Sequence, residues 1–185
     1  MHLTMTIRNN EQLLESVNSG IAVKYLFFWG HQKKGSNVNK SCFSQWYESS
    51  FEVEGVRYQT AEHYMMAEKA RLFGDLENAQ KAIQASNPGA AKAVGRLVKG
   101  FDNDIWIENR FNIVVKANEN KFRQNPDLES FLVNTGSRVL VEASPVDKIW
   151  GIGLAADNID CQNPNRWKGL NLLGYALMEV RKLLR

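Results

Sequence analysis

Residues 59–75, QTAEHYMMAEKARLFGD, decide how the rest of the chain is read. Thr60 suits a helix N-cap, Ala61 opens a run free of Gly and Pro, and Gly74 ends it. The pattern predicts one helix across this stretch. Tyr64, Met65, Met66, Ala67 and Ala70 mark it as half-buried, yet Glu62, His63, Glu68 and Lys69 lie among them. At about 100° per residue, Glu62 and Lys69 share a helical bearing to within about 20°, about 10 Å apart along the axis, with Met66 between them. Two explanations fit. Glu62 favours the positive end of the helix dipole while Lys69 runs its stem along the surface to water, or both face a cleft.

Outward from this helix the chain alternates in kind. Upstream, VKYLFFW (23–29) reads as a buried strand with a turn at Gly30, and residues 30–40 as a polar loop. CFSQWY (42–47) and FEVEGVRY (51–58) read as short strands, the second turning at Glu54-Gly55. Residues 1–20 make a peripheral segment with a short helix at 11–17. Downstream, 76–85 is helical, and NPGAAKAVGRLV (87–98) starts with Asn as cap and Pro at the first helical position. A long helix within 102–126 ends before Pro126, a short one 127–136 ends at Gly136, and RVLVEAS (138–144) is a strand. Residues 151–169 form a loop rich in Gly, Asn and Asp. The last helix, 171–185, turns Leu173, Leu177, Val180 and Leu184 inward. The fold class expected is α+β: a compact, mainly helical single domain over 21–185 with a small β-sheet.

With 185 residues, 44% of them hydrophobic, the chain suffices for a core and a pocket. Its 23 basic and 20 acidic residues leave a net charge of +3, too little to argue for nucleic acid but compatible with a phosphate-bearing ligand. Cys42 and Cys161 stand far apart and are expected as reduced thiols of a cytoplasmic protein. The first 20 residues lack an apolar signal-like core and no run reaches 18 apolar residues, so neither a signal peptide nor a membrane span is expected. His31 and His63 have no partner at metal-ligand spacing, and neither G-x-S-x-G nor a P-loop occurs; no metal and no cofactor is expected.

Two further constellations carry possible chemistry. In LVEASPVDKIWGIG (140–153), Glu142 ends an apolar strand, where an acid faces solvent or lines a cleft. Trp150 then precedes Gly151-Ile152-Gly153, whose glycines let a backbone approach a ligand closely; the indole is either core or platform. Lys92, Arg96 and Lys99 follow spacings of four and three, with Gly95 beside Arg96. Such a stripe meets a phosphate or is a solvated helix face.

Four blocks in order resemble the NADAR superfamily, named for NAD and ADP-ribose: FSQWYESSFEVEGVRYQTAEHYMMAEKA, NPGAAKAVGR with Trp106 downstream, LVEASPVDKIWGIGL, and RWKGLNLLGYALMEVR. The resemblance spans roughly residues 27–181. It implies a mainly helical α+β domain that cleaves the bond between ribose C1′ and a nitrogen, as in the family's N-glycosidase of riboflavin-biosynthesis intermediates. Glu62 and Lys69 match the family's E-H-Y and following lysine, and Glu142, Trp150 and Asn171 match positions in later blocks. The catalytic residues implied are Glu62, Lys69 and Glu142. Substrate-binding candidates are Trp46 and Trp150 for stacking a planar base, Ser44, Gln45, His63 and Asn171 for hydrogen bonds, and Arg57, Arg96 and Lys99 for phosphate, with Gly151, Gly153 and Asp160 beside them.

Breaking a ribosyl C–N bond develops positive charge at C1′ and the ring oxygen, and the leaving nitrogen needs a proton. A carboxylate stabilises that charge or activates water. Alternatively, an N-ribosyl amine opens to an imine and a neutral lysine attacks C1′ to form a Schiff base. That route sets a condition: a Glu62 anion nearby raises the Lys69 pKa, so burial or a cation such as Arg96 or Arg57 has to outweigh it. Some bacterial riboflavin-pathway members carry an acid between the glycines of the W-G-x-G block, where this chain has Ile152; Asp157 or Asp160 could take its place. The partner expected is a phosphoribosyl or ADP-ribosyl small molecule, with nucleic acid only as a modified substrate and no membrane.

Overall fold

Strand pairing joins distant parts of the chain. In the computed structural model, which describes residues 7–33 and 35–185, β1 (Tyr25–Phe28) lies parallel to β4 (Val139–Glu142). Tyr25 stands opposite Val139 and Phe28 opposite Glu142. Parallel strands need a crossover, and here the connection carries most of the remaining elements. The chain accordingly divides into two compact units, one built from the segments up to Trp29 and from Val133 to Leu183, the other from Gly30 to Leu132. The fold is α+β and mainly helical, with two two-stranded sheets among the described residues.

In the first unit, α7 (Leu172–Leu183) covers β4, burying Leu173, Leu177 and Val180 as its 3.6-residue period requires. The approach is close because residue 174 is glycine: a Cβ there would lie 2.1 Å from the Leu140 carbonyl oxygen. The part of the expected peripheral segment that is described forms α1 (Asn10–Asn18), capped by Asn9. It is anchored by fully buried Leu13, by Asn10 donating to the Gly169 carbonyl (3.0 Å), and by Tyr175 donating its hydroxyl to Asn10 (2.8 Å). Residues 1–6 of that segment lie outside the described residues. The 151–169 stretch is loop punctuated by single 3₁₀ turns at Ile159–Gln162 and Pro164–Arg166.

The strands of the second unit form a hairpin, β2 (Phe51–Val53) and β3 (Val56–Tyr58). Its turn residues Glu54 and Gly55 both take positive φ, as tight hairpins demand. Then come α2 (Ala61–Leu72), α3 (Leu76–Gln84), α4 (Pro88–Gly95), α5 (Asn103–Arg123) and α6 (Pro126–Val133). The caps read from sequence are used: Thr60 starts α2, Asn87 starts α4 with Pro88 at its first position, and Gly74 leaves α2 at φ 72°. Phe51, Tyr58 and Tyr64 form an aromatic cluster with ring centroids 4.9–6.0 Å apart.

Two expectations are corrected here. Residues 42–47 are not a strand but a 3₁₀ turn, Lys40–Phe43, running into a bend. Asn39 accepts the Ser41 N–H (2.9 Å) and the Ser44 hydroxyl accepts the Trp46 N–H (3.1 Å), local bonds that replace a strand ladder. The helix expected to reach residue 98 stops at Gly95, where Arg96 and Leu97 tighten into bonds to Ala93 and Val94. Lys92, Arg96 and Lys99 therefore do not share one helix.

Candidate functional site

The second unit holds Glu62, His63 and Lys69 of α2. Glu62 sits in the first turn of α2, only 4% exposed, with its N–H donated to the Gln45 carbonyl (3.0 Å). His63 is fully buried beside it. Its Nε2 lies 3.1 Å from the Ala85 carbonyl, which only accepts, so Nε2 carries the proton and Nδ1 takes the Thr60 hydroxyl hydrogen at 2.8 Å. Burial lowers the His63 pKa, keeping the ring neutral. The imidazole thus ties the start of α2 to the end of α3.

Two turns on, Lys69 is half-buried and donates to the Gly95 carbonyl at 2.8 Å. Its amine lies 4.3 Å from the Phe101 ring centroid and 5.5 Å from that of Trp106. Residue 95 must be small for this contact: a Cβ there would stand 2.0 Å from the sulfur of Met66. Burial lowers the Lys69 pKa. Desolvation therefore acts in the direction that a nucleophilic lysine requires.

Next along from Gln45, Trp46 is half-buried with the His31 ring 5.5 Å away and the Lys92 amine 5.9 Å from its own ring centroid. It lines a cavity of about 380 Å³ with His31, Gln32, Lys33, Glu48 and the Asn87–Pro88–Gly89 start of α4. That size suits a nucleotide fragment, and an indole face with cations at its rim suits an anionic planar one. Other candidates lie apart from this cavity's lining. Arg57 is exposed on β3, bonded to the Ser50 hydroxyl at 2.8 Å, and Arg96 is exposed at the end of α4. Lys99 keeps its amine 3.5 Å from Glu77 and its N–H on Asp75. The Ser44 hydroxyl and both ends of the Gln45 amide are engaged within the protein.

The first unit assembles a second group around the end of β4. Glu142 is half-buried; its N–H goes to the Asn171 side-chain oxygen (3.0 Å) and its carbonyl accepts the Ile152 N–H (2.9 Å). Asn171 is fully buried in the left-handed region, φ 53°, and its amide nitrogen donates to the Leu140 carbonyl at 2.9 Å. Both polar ends of that side chain are held by β4. Gly151 lies so close that a Cβ would meet the Glu142 carbonyl at 2.8 Å, and Gly153 takes φ 68°. Between them Ile152 is wholly buried, while Trp150 is half-buried with its N–H on Asp147 (2.8 Å). Asp157 and Asp160 are exposed.

Sequence reasoning passed over Lys121 and Phe101. Lys121 is fully buried on α5 and donates to the Cys42 and Ser44 carbonyls at 2.7 and 2.9 Å. A signal was present: with Val114, Ala117, Asn118 and Phe122 it completes a helical stripe that is otherwise mostly apolar. Phe101, in the loop between α4 and α5, left no periodic trace.

The NADAR domain family profile matches residues 27–185. The chain is 44% identical over 164 residues to N-glycosidase R617 of Acanthamoeba polyphaga mimivirus, an alignment covering 86% of this chain and 95% of the relative. It is 31% identical over 144 residues to N-glycosidase YbiA of Escherichia coli strain K12, covering 78% and 79%. The NMR structure of E. coli YbiA superposes with a TM-score of 0.70 at 27% identity, over 87% of this chain and 84% of that one. The profile and the relatives cover the four sequence blocks, and the chain belongs to the NADAR family.

Proposed function

We propose that this protein hydrolyses the ribose C1′–N bond of phosphoribosylated aminopyrimidine intermediates of riboflavin biosynthesis, releasing ribose 5-phosphate. The chain is an N-glycosidase, a hydrolase acting on N-glycosyl compounds, as are its curated relatives. The observation that carries the reading is the half-buried Lys69 amine, held on the Gly95 carbonyl and lowered in pKa by desolvation, on the same helix as buried Glu62. A neutral amine donates one N–H to the Gly95 carbonyl and keeps its lone pair. That pair adds to C1′ of the ring-opened riboside, and the C1′–N bond to the base breaks as the base nitrogen takes a proton. Water then hydrolyses the lysine imine, releasing the sugar and restoring the amine. Glu62 stabilises charge at C1′ or moves the proton. Trp46 stacks the pyrimidine, with Lys33, Lys92 and His31 toward the phosphate.

A mass-spectrometric screen of N-ribosides tests this. Ribose 5-phosphate release is expected from the parent and lost in Glu62→Gln and Lys69→Ala, both still folded by circular dichroism. Borohydride during turnover is expected to trap a sugar adduct on Lys69; full turnover without an adduct leaves carboxylate and water as the mechanism. A second reading, removal of ADP-ribose from guanine or a related nucleotide, is favoured by Ile152, whose full burial leaves no acid between the two glycines. Turnover of ADP-ribosylated DNA alone selects it. Binding of ADP-ribose with no turnover of either class would mean a non-catalytic module.

A further inference from the structure

Buried Lys121 has no place in the chemistry above, and its setting is unusual. It is fully buried, and desolvation lowers its pKa to about 8. Burying an amine this way is unfavourable, and an apolar residue on the same stripe would pack without that penalty. What the lysine does provide is direction: its amine gathers the Cys42 and Ser44 carbonyls from one side. One turn earlier on α5, Asn118 donates to the Gln45 side-chain oxygen at 2.7 Å. The Gln45 backbone carbonyl in turn receives the Glu62 N–H, and Gln45 adjoins Trp46. A continuous chain of bonds thus runs from α5 through residues 42–45 to the first turn of α2.

We propose that Lys121 and Asn118 are positioning residues for N-glycoside cleavage, setting the Ser44–Trp46 segment and, through the Gln45 carbonyl, the place of Glu62. A segment without a strand ladder has few other means of holding its backbone. Its extended partners further along are gripped by the same helix, where Gln124 exchanges two bonds with Glu52, each 2.8 Å. α5 serves as a splint along the whole approach to α2.

The kinetic arm of the test rests on Glu62 being a reacting group; the exchange arm does not. Lys121→Met keeps length and removes the donor, and Asn118→Ala removes the second contact with little change of volume. In both, kcat on the N-riboside that the parent hydrolyses is expected to fall, on the order of 100-fold for Lys121→Met, with KM changed less than about threefold. Independently, amide exchange at Glu62 is expected to accelerate at least about tenfold while amides of α7 keep their protection. Lowered melting temperature with parental kcat and unchanged Glu62 exchange would reduce both residues to packing and overturn the proposal. If Lys121→Met fails to fold, Asn118→Ala decides by the same two readouts. If the parent hydrolyses no N-riboside, the proposed hydrolysis itself fails, and the exchange arm alone decides whether Lys121 and Asn118 set the place of Glu62.

Discussion

Gly95→Ala puts the α2–α4 contact to a quantitative trial. The new methyl would sit 2.0 Å from the Met66 sulfur and 3.0 Å from its Cγ, where carbon–carbon contacts settle at about 3.5–4.0 Å. Met66 is only 5% exposed, so the sulfur has to move well over an ångström into packed surroundings. Overpacking of this kind costs about 1–3 kcal/mol. Against it stands the helical preference of alanine over glycine, about 0.5–1 kcal/mol. The balance is a loss of about 1–2 kcal/mol, or roughly 2–8 °C in Tm for a chain of this size. Urea unfolding should show a lower midpoint with an unchanged slope, and turnover should drop with it, because the Gly95 carbonyl anchors Lys69. Met66→Ala alone leaves a cavity, costing about 2–5 kcal/mol, but the Gly95→Ala methyl partly fills it. The double variant should therefore lose less than the summed singles by about 1–2 kcal/mol. A Gly95→Ala protein as stable as its parent, or an additive cycle, would refute the contact.

Two other experiments address buried groups. Burial lowers the Lys121 amine to about 8 and pushes the Cys42 thiol up to about 12. Between about 8 and the ordinary lysine value of 10.5, the unfolded chain holds a proton that folded Lys121 lacks, so stability rises with pH. Between the ordinary thiol value of 9.0 and about 12, folded Cys42 keeps a proton that the unfolded chain has lost, so stability falls with pH. Urea midpoints should thus climb from pH 8 to 9, level off, and decline above 10.5, with Lys121→Met abolishing the climb; a flat parental profile from pH 8 to 9 contradicts this. At Asn171, glycine accepts the left-handed backbone, so Asn171→Gly isolates the amide and should cost about 1–3 kcal/mol. Asn171→Ala should cost about 1 kcal/mol more for backbone strain, and equal melting of the two variants would refute the strained geometry.

Helices were legible wherever a side chain announced their limits. Thr60, Asn87 with Pro88, and Gly74 act in the structure as their types require. The 42–47 stretch misled because Phe43, Trp46 and Tyr47 have strand-like composition, while the bonds that bend it come from Asn39 and Ser44 and, from 77 residues away, Lys121. No local pattern carries that last contact. The face shared by Glu62, Met66 and Lys69 followed from helical geometry, but the cause of the Lys69 pKa did not. That cause is burial within the folded second unit, which also brings Gly95, Phe101 and Trp106 to the amine. Similarly, Asn171 was visible as a member of a motif, whereas its bonds to β4 were not.

The pairing of β1 with β4 bears on how the protein is made. Tyr25 meets Val139, so a ribosome has to deliver over a hundred further residues before the first strand gains its neighbour. Until then Leu26 and Phe28 present an open backbone edge of apolar residues, a template for mispairing with other nascent chains. The intervening elements, being contiguous, face no such wait. Synthesis halted anywhere before Val139 would leave a sticky fragment, and translation speed through this interval becomes a determinant of yield.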